Sequence, residues 1–225
     1  MKKVPGRWIE MFFLILFLGI IGITHYKTLS NLNKKEQIIK RNETFFKKVK
    51  DSMDMVQFAN YYLNSQFDIS FRENNLKYDI KNVKLYILKD GKHQFERVFG
   101  SMLTEKRKKL IIRYTEIGCN SCSDSTIRAI SSNKNIREFF DIIFFVDFSN
   151  YDAYLKWRKI AEISDPVFWV EKGSLPFTLE GSNDSYLYTV DEYSKPGNFF
   201  VPNSRLPNYI NIYLTHISKK NLSIH

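Results

Sequence analysis

Apolar and polar residues alternate along this chain in blocks that name their own secondary structure. The first block, Met11 to Ile23, is uncharged and almost wholly apolar. With its flanks Trp8, Ile9 and Tyr26 it reaches a length that spans a bilayer as a helix, about 17 to 25 residues. From Asn33 to Phe67 there is neither proline nor glycine, and Ile39, Phe46, Val49, Met53, Val56 and Leu63 recur at helical spacing. That spacing predicts a long helix leaving the membrane. The seam carries Asn42 and Asn60, and packing of this spacer on its own domain is favoured over dimerisation.

Beyond the spacer the period shortens. "VKLYILKDGKHQFERVFG" is two β-rich runs around Asp90-Gly91, a dipeptide suited to a tight hairpin turn. "LIIRYTE" and "DIIFFVDF" are nearly continuous apolar runs, as strands covered on both faces require. Between them "SDSTIRAISSNKNIREFF" is helical with a polar break at 131–135, and "DAYLKWRKIAEIS" is a second helix with Leu155, Ile160 and Ile163 among its apolar positions. "SYLYTVD" and "NFFVP" read as strands joined by a turn through Lys195, Pro196 and Gly197. A last helix puts Leu206, Ile210, Tyr213 and Ile217 on one face, with Ser204 as its N-cap. The order predicts an α/β domain whose mixed sheet is parallel at first and ends in an antiparallel pair. The expected division is an anchor over 1–27, a helical spacer over 28–75 and an α/β domain over 76–225 that includes the hairpin.

Charge changes little in this picture. The chain of 225 residues carries a formal charge of +10. Its basic residues cluster after the first apolar run and at Lys106, Arg107, Lys108 and Lys109, in no recognisable nucleic-acid-binding signature, so no nucleic-acid partner is expected. The apolar N-terminal run ends in "GITHYKTLSNL", which lacks the small-residue pattern of a processing site. An uncleaved anchor is therefore expected, in contact with the lipid bilayer and with the domain outside the cytoplasm. Basic residues flank both ends, so charge alone does not orient it.

The candidate chemistry lies in "LIIRYTEIGCNSCSDSTIRAI", which holds the two cysteines of the chain, Cys119 and Cys122. With a helix starting at or just after Cys119, Cys122 follows one turn later. The two Cα atoms are then about 5 to 5.5 Å apart, within disulfide range. A thiol at a helix N-terminus is acidified by the unpaired N–H groups and the macrodipole. Cys119 is thus the expected nucleophile and Cys122 the resolving thiol. Zinc would need two further ligands, and His25, His93, His216 and His225 form no suitable pair. Haem attachment would need histidine where Ser123 stands. No cofactor or metal is expected, and two buried, inert cysteines are the remaining alternative.

A buried strand entering C-x-x-C at a helix start, then strand, helix, a β-pair and a terminal helix, resembles the thioredoxin-like superfamily over about residues 83–218. With the anchor and hairpin it looks most like bacterial membrane-tethered thiol-disulfide oxidoreductases and redoxins of the peroxiredoxin-related (AhpC/TSA-like) branch. The resemblance implies a periplasmic domain that exchanges disulfides with protein dithiols or disulfides and with a membrane or periplasmic redox partner. This chain departs from the pattern in three places. Ile117 and Gly118 stand where an aromatic usually precedes the first cysteine, and Asn120-Ser121 replaces Gly-Pro. Glu116 falls where a peroxidatic site would have threonine or serine, which disfavours peroxidase activity. The superfamily's cis-proline position falls by chain order on Ser185, with Pro176 the nearest proline. Arg113 and Glu116 are candidates to tune the thiolate, with surface placement an equal alternative. Asp124, Trp157 and Trp169 are read as helix-turn polarity and core packing. A non-catalytic binding module on the same fold is the alternative function.

Overall fold

The computed structural model describes residues 6–103, 107–118 and 120–222. It divides into two compact units, Met1–Ala59 and Asn60–His225. Helix α1 (Gly6–Asn75) contributes to both. In the first unit its described side chains are almost all exposed, and the apolar stretch beginning at Glu10 is long and apolar enough to cross a membrane. Ile39, Phe46, Val49, Met53 and Val56 of this unit are exposed.

The second unit is built on a 7-stranded sheet in the order β2-β1-β5-β4-β3-β6-β7. Its strands are β1 (Lys84–Lys89), β2 (Lys92–Val98), β3 (Lys109–Tyr114), β4 (Asp141–Val146), β5 (Val167–Trp169), β6 (Tyr186–Val190) and β7 (Pro196–Phe200). The predicted hairpin is present. Asp90 and Gly91 both take positive φ, 52° and 73°, as a two-residue turn that follows strand twist demands. At the centre β3 runs parallel to β4 and antiparallel to β6, which is antiparallel to β7. Helix α2 (Asn120–Ser132) and the short α3 (Ile136–Phe139) link β3 to β4, α4 (Tyr151–Ile160) leads to β5, and α5 (Tyr209–Leu222) follows β7. This is the mixed sheet the sequence pattern predicts, parallel at first and ending in an antiparallel pair, extended by β5 and by the hairpin, which joins the sheet through β1 against β5.

Alternation along β3 and β4 sorts the core into two layers. Leu110, Ile112, Tyr114, Ile142, Phe144 and Val146 meet Ile127 and Ile130 of α2, Trp157 of α4 and Leu214 of α5. On the other face Ile111, Ile143, Phe145, Tyr186 and Tyr188 meet Leu85 of β1, Phe177, and Phe99 and Leu179 from two short 3-10 helices. Residues 60–75 of α1 close the β7 edge. Tyr62 and Ser70 donate to the carbonyls of Val201 and Phe199, at 2.6 and 3.0 Å, and Gln66 accepts from the Val201 N–H at 2.9 Å. Groups that would otherwise leave an open edge strand are thus paired. Glu73, fully buried, accepts from Tyr78 and Thr178.

Three local expectations need correction. The β6–β7 turn lies at Asp191–Lys195, where Ser194 takes φ 65°, and Pro196 and Gly197 belong to β7. Proline is tolerated there because it is the first residue of its strand. Helix α5 begins at Tyr209, after Pro207, so Ser204 does not cap it. In α4 the buried face is Tyr154 and Trp157, while Leu155 and Ile160 are exposed. Asn150 caps that helix by accepting from Asp152 and Ala153 N–H groups.

Candidate functional site

The candidate site is where β3 ends. Strand β3 is buried along its whole length, and the chain leaves it through Thr115, Glu116, Ile117 and Gly118. Cys119 lies outside the described residues. Helix α2 begins at Asn120, the next residue in sequence, and the Cys122 backbone lies in its first turn.

Both flanks of the 115–118 turn are tied down by side chains. On one side the Glu116 N–H donates to Asp147 Oδ1 at 2.7 Å, and Glu116 Oε2 accepts from the Ser149 N–H and hydroxyl at 2.8 and 2.7 Å. On the other, the Thr115 N–H donates to Ser185 Oγ at 3.1 Å and its hydroxyl donates to the Asn183 carbonyl at 2.6 Å. The turn closes with a Gly118 N–H bond to the Thr115 carbonyl at 3.2 Å. Ile117 is left pointing to solvent, 74% exposed.

Glycine at 118 has a steric cause. A Cβ there would sit 2.5 Å from Thr115 Oγ1, 3.0 Å from the Asn183 carbonyl oxygen and 3.2 Å from Ser185 Oγ. An aromatic side chain has no room at position 118. Ser185 stands at the head of β6, beside the turn, and its hydroxyl serves the Thr115 N–H. Pro176 lies upstream, between the buried residues Leu175 and Phe177.

Directly beneath the turn, Arg113 is fully buried, which corrects the surface alternative for this residue. Its Nε and Nη2 donate to the two Glu180 carboxylate oxygens at 2.9 and 3.2 Å, and Nη1 donates to the Val170 carbonyl at 3.1 Å. Nη2 also lies 3.5 Å from Asp147 Oδ2. Glu180 accepts further bonds from the Tyr186 hydroxyl and the Gly173 N–H, each at 2.8 Å. One buried cation therefore faces two buried carboxylates. Burial raises the Asp147 carboxyl above its ordinary range, with Arg113 opposing and Glu180 reinforcing that shift. Tyr114 is pushed up to about 12 by burial and by Asp124, Asp147 and Glu116. Trp157 packs on Tyr114 and Phe148 in the core, as expected, and Trp169 donates to the Phe148 carbonyl at 3.0 Å.

The sequence singled out Arg113, Glu116 and Ser185, but not Asp147, Ser149, Asn183 or Glu180, which hold the turn and the guanidinium beneath it. Asp147 carried a faint signal, a charge closing an apolar strand. Glu180, Ser149 and Asn183 carried none.

No protein-family profile matches the chain, and no curated sequence matches it. Solved structures do. A protein assigned as the thiol:disulfide interchange protein DsbE, from Chlorobium tepidum, is similar at 13% identity and TM-score 0.44, over 64% of this chain and 99% of that one. Peroxiredoxin Q from Xanthomonas campestris is similar at 7% identity and TM-score 0.47, over 66% and 99%. The thioredoxin domain of a thiol-disulfide oxidoreductase from Bacteroides vulgatus is similar at 12% identity and TM-score 0.42, over 62% and 99%. The likeness is one of backbone arrangement.

Proposed function

We propose that the chain is a membrane-tethered thiol-disulfide oxidoreductase, anchored by residues 1–27, that exchanges disulfides with extracytoplasmic protein partners through Cys119 and Cys122. The observation that carries this reading is the setting of the C-x-x-C pair. A fully buried strand delivers it, a turn pinned on both sides precedes it, and its second cysteine falls in the first turn of α2. A thiol at such a helix start is held toward the thiolate by the N–H groups and dipole of the helix.

The chemistry balances as two exchanges. The Cys119 thiolate attacks one sulfur of a substrate disulfide, forming a mixed disulfide and releasing the other sulfur as a thiolate. Cys122, deprotonated, then attacks the Cys119 sulfur and releases the substrate's second thiolate. The substrate gains two electrons and two protons, and the protein keeps a Cys119–Cys122 disulfide. A dithiol partner at the membrane or in the periplasm must reduce that disulfide before the next cycle. The same steps in reverse oxidise a substrate dithiol.

Replacing Cys122 with serine removes the resolving step, so Cys122→Ser is expected to accumulate mixed disulfides with partner proteins, released by dithiothreitol and absent from Cys119→Ser/Cys122→Ser. If no cysteine-dependent adduct forms, the enzymatic reading fails. Ser185 at the head of β6, where the superfamily places proline, favours a second reading, a thioredoxin-fold binding module without turnover. Its mark is partner capture that survives loss of both thiols.

A further inference from the structure

Within residues 38–59 of α1 most apolar positions share one face, with Met55 and Phe58 outside it and Glu43 and Lys50 on its flank. Ile39, Phe46 and Met53 recur at intervals of seven residues, and Asn42, Val49 and Val56 recur at the same interval between them. Asn60, Leu63 and Phe67 continue that spacing in the sequence. A strict seven-residue repeat is the period at which two helices keep one seam in contact by supercoiling, with the first set at a positions and the second at d. Ile39, Phe46, Val49, Met53 and Val56 are 56, 68, 40, 58 and 59% exposed, and Ile38 and Phe45 beside them are 56 and 62% exposed. Lys40, Arg41, Lys47, Lys48, Asp51 and Asp54 occupy the b, c and f positions, turned away from the seam.

We propose that this stripe is the interface with a second copy of the chain, forming a parallel two-stranded coiled coil over residues 38–59. Its parallel sense rests on the proposed anchor, because two copies held in one bilayer start their helices at the same height. Area supports the occupant. At these exposures the seven side chains offer about 100 Å² each, so two copies remove about 1,400 Å² from water, within the range of stable interfaces. Asn42 supports a matching copy, since an amide carries both donor and acceptor and pairs with its own image across the seam. One polar residue on such a seam fixes register and strand number at some cost in stability. An exposed apolar strip of this length on a single helix is otherwise an aggregation liability.

The test uses the full chain in lipid nanodiscs, with Cys119→Ser/Cys122→Ser to clear the native thiols. Under mild oxidation Ile39→Cys, on the seam, is expected to form disulfide-linked dimers at least ten times faster than Arg41→Cys, on the outer face. In detergent, sedimentation is expected to give a two-copy mass, with Phe46→Glu/Met53→Glu weakening self-association at least 100-fold while the near-ultraviolet dichroism of the sheet unit is unchanged. Equal cross-linking from both faces, a one-copy or higher-order mass for the unsubstituted chain, or a dimer that survives Phe46→Glu/Met53→Glu overturns the proposal. Linkage of Ile39→Cys only to Leu63→Cys in a mixture means antiparallel helices and overturns it as well.

Discussion

Removing the guanidinium of Arg113 tests whether the cluster under the turn holds the site together. Arg113→Met keeps most of the volume of a side chain that is fully buried, and it deletes three hydrogen bonds and the ion pairs to Glu180 and Asp147. What remains is worse than an apolar core. Glu180 and Asp147 stay buried with no cation between them, and the Val170 carbonyl loses the Arg113 donor. Breaking one partner of a buried pair costs about 3 to 5 kcal/mol, since the surviving charge has lost water and counter-ion together. Glu180 keeps the Tyr186 hydroxyl and the Gly173 N–H, which places the expected cost toward the lower end, about 3 kcal/mol. That is a large share of a typical domain stability of about 5 to 15 kcal/mol.

The assay is equilibrium urea unfolding of the full chain in detergent, followed by near-ultraviolet dichroism. Three variants complete the double-mutant cycle: Arg113→Met, Glu180→Gln and both together. The double substitution removes one carboxylate charge along with the cation, so the expected coupling is about 2 kcal/mol, with the double variant more stable than the sum of the singles predicts. A cost below about 1 kcal/mol for Arg113→Met, or strictly additive singles, refutes the claim that this buried pairing supports the turn.

Two further outcomes follow from the same geometry. Gly118→Ala places a methyl 2.5 Å from Thr115 Oγ1, and is expected to destabilise the protein by about 1 to 3 kcal/mol and slow thiol exchange, measured by unfolding and by alkylation rate; wild-type values for both would show that the turn yields freely. Asp147→Asn removes a carboxyl whose folded pKa is raised, mainly by burial. Such a group contributes stability that is fully present below its unfolded pKa and is lost as pH rises through the folded one. The stability of the native chain relative to Asp147→Asn is therefore expected to fall as pH climbs from about 4 toward neutrality. Parallel stability curves for the two proteins over that range would remove the argument.

How far the sequence disclosed this arrangement depends on the range of the forces at each place. Periodicity is local, so β3, β4, α2 and the Asp90-Gly91 hairpin were legible. Strand β5 was not, because three residues after Pro166 carry no period, and its place is set by β4 on one side and β1 on the other. Lys195-Pro196-Gly197 misled because such residues usually mark turns, whereas Ser194 supplies the positive φ and Pro196 opens an edge strand. Arg113 stood out as a charge inside an apolar strand. Its main partner is 67 residues away in a single 3-10 turn, Thr178–Gly181, a separation no pattern spans.

The turn before the cysteines joins these scales. Its own sequence, Thr115 to Gly118, contributes the Thr115 hydroxyl, the Glu116 carboxylate and the glycine that position 118 requires. Its position is imposed from outside, by Asp147 and Ser149 where β4 ends and by Asn183 and Ser185 where β6 begins. These strands are the two hydrogen-bonded neighbours of β3, one parallel and one antiparallel. The register of the sheet therefore sets the turn: a slip of one residue on either side would turn the pinning side chains to the opposite face. A loop held this way gains little from its own rigidity and much from the core, which is why the buried Arg113 cluster, without reaching solvent, belongs to the support of the candidate site.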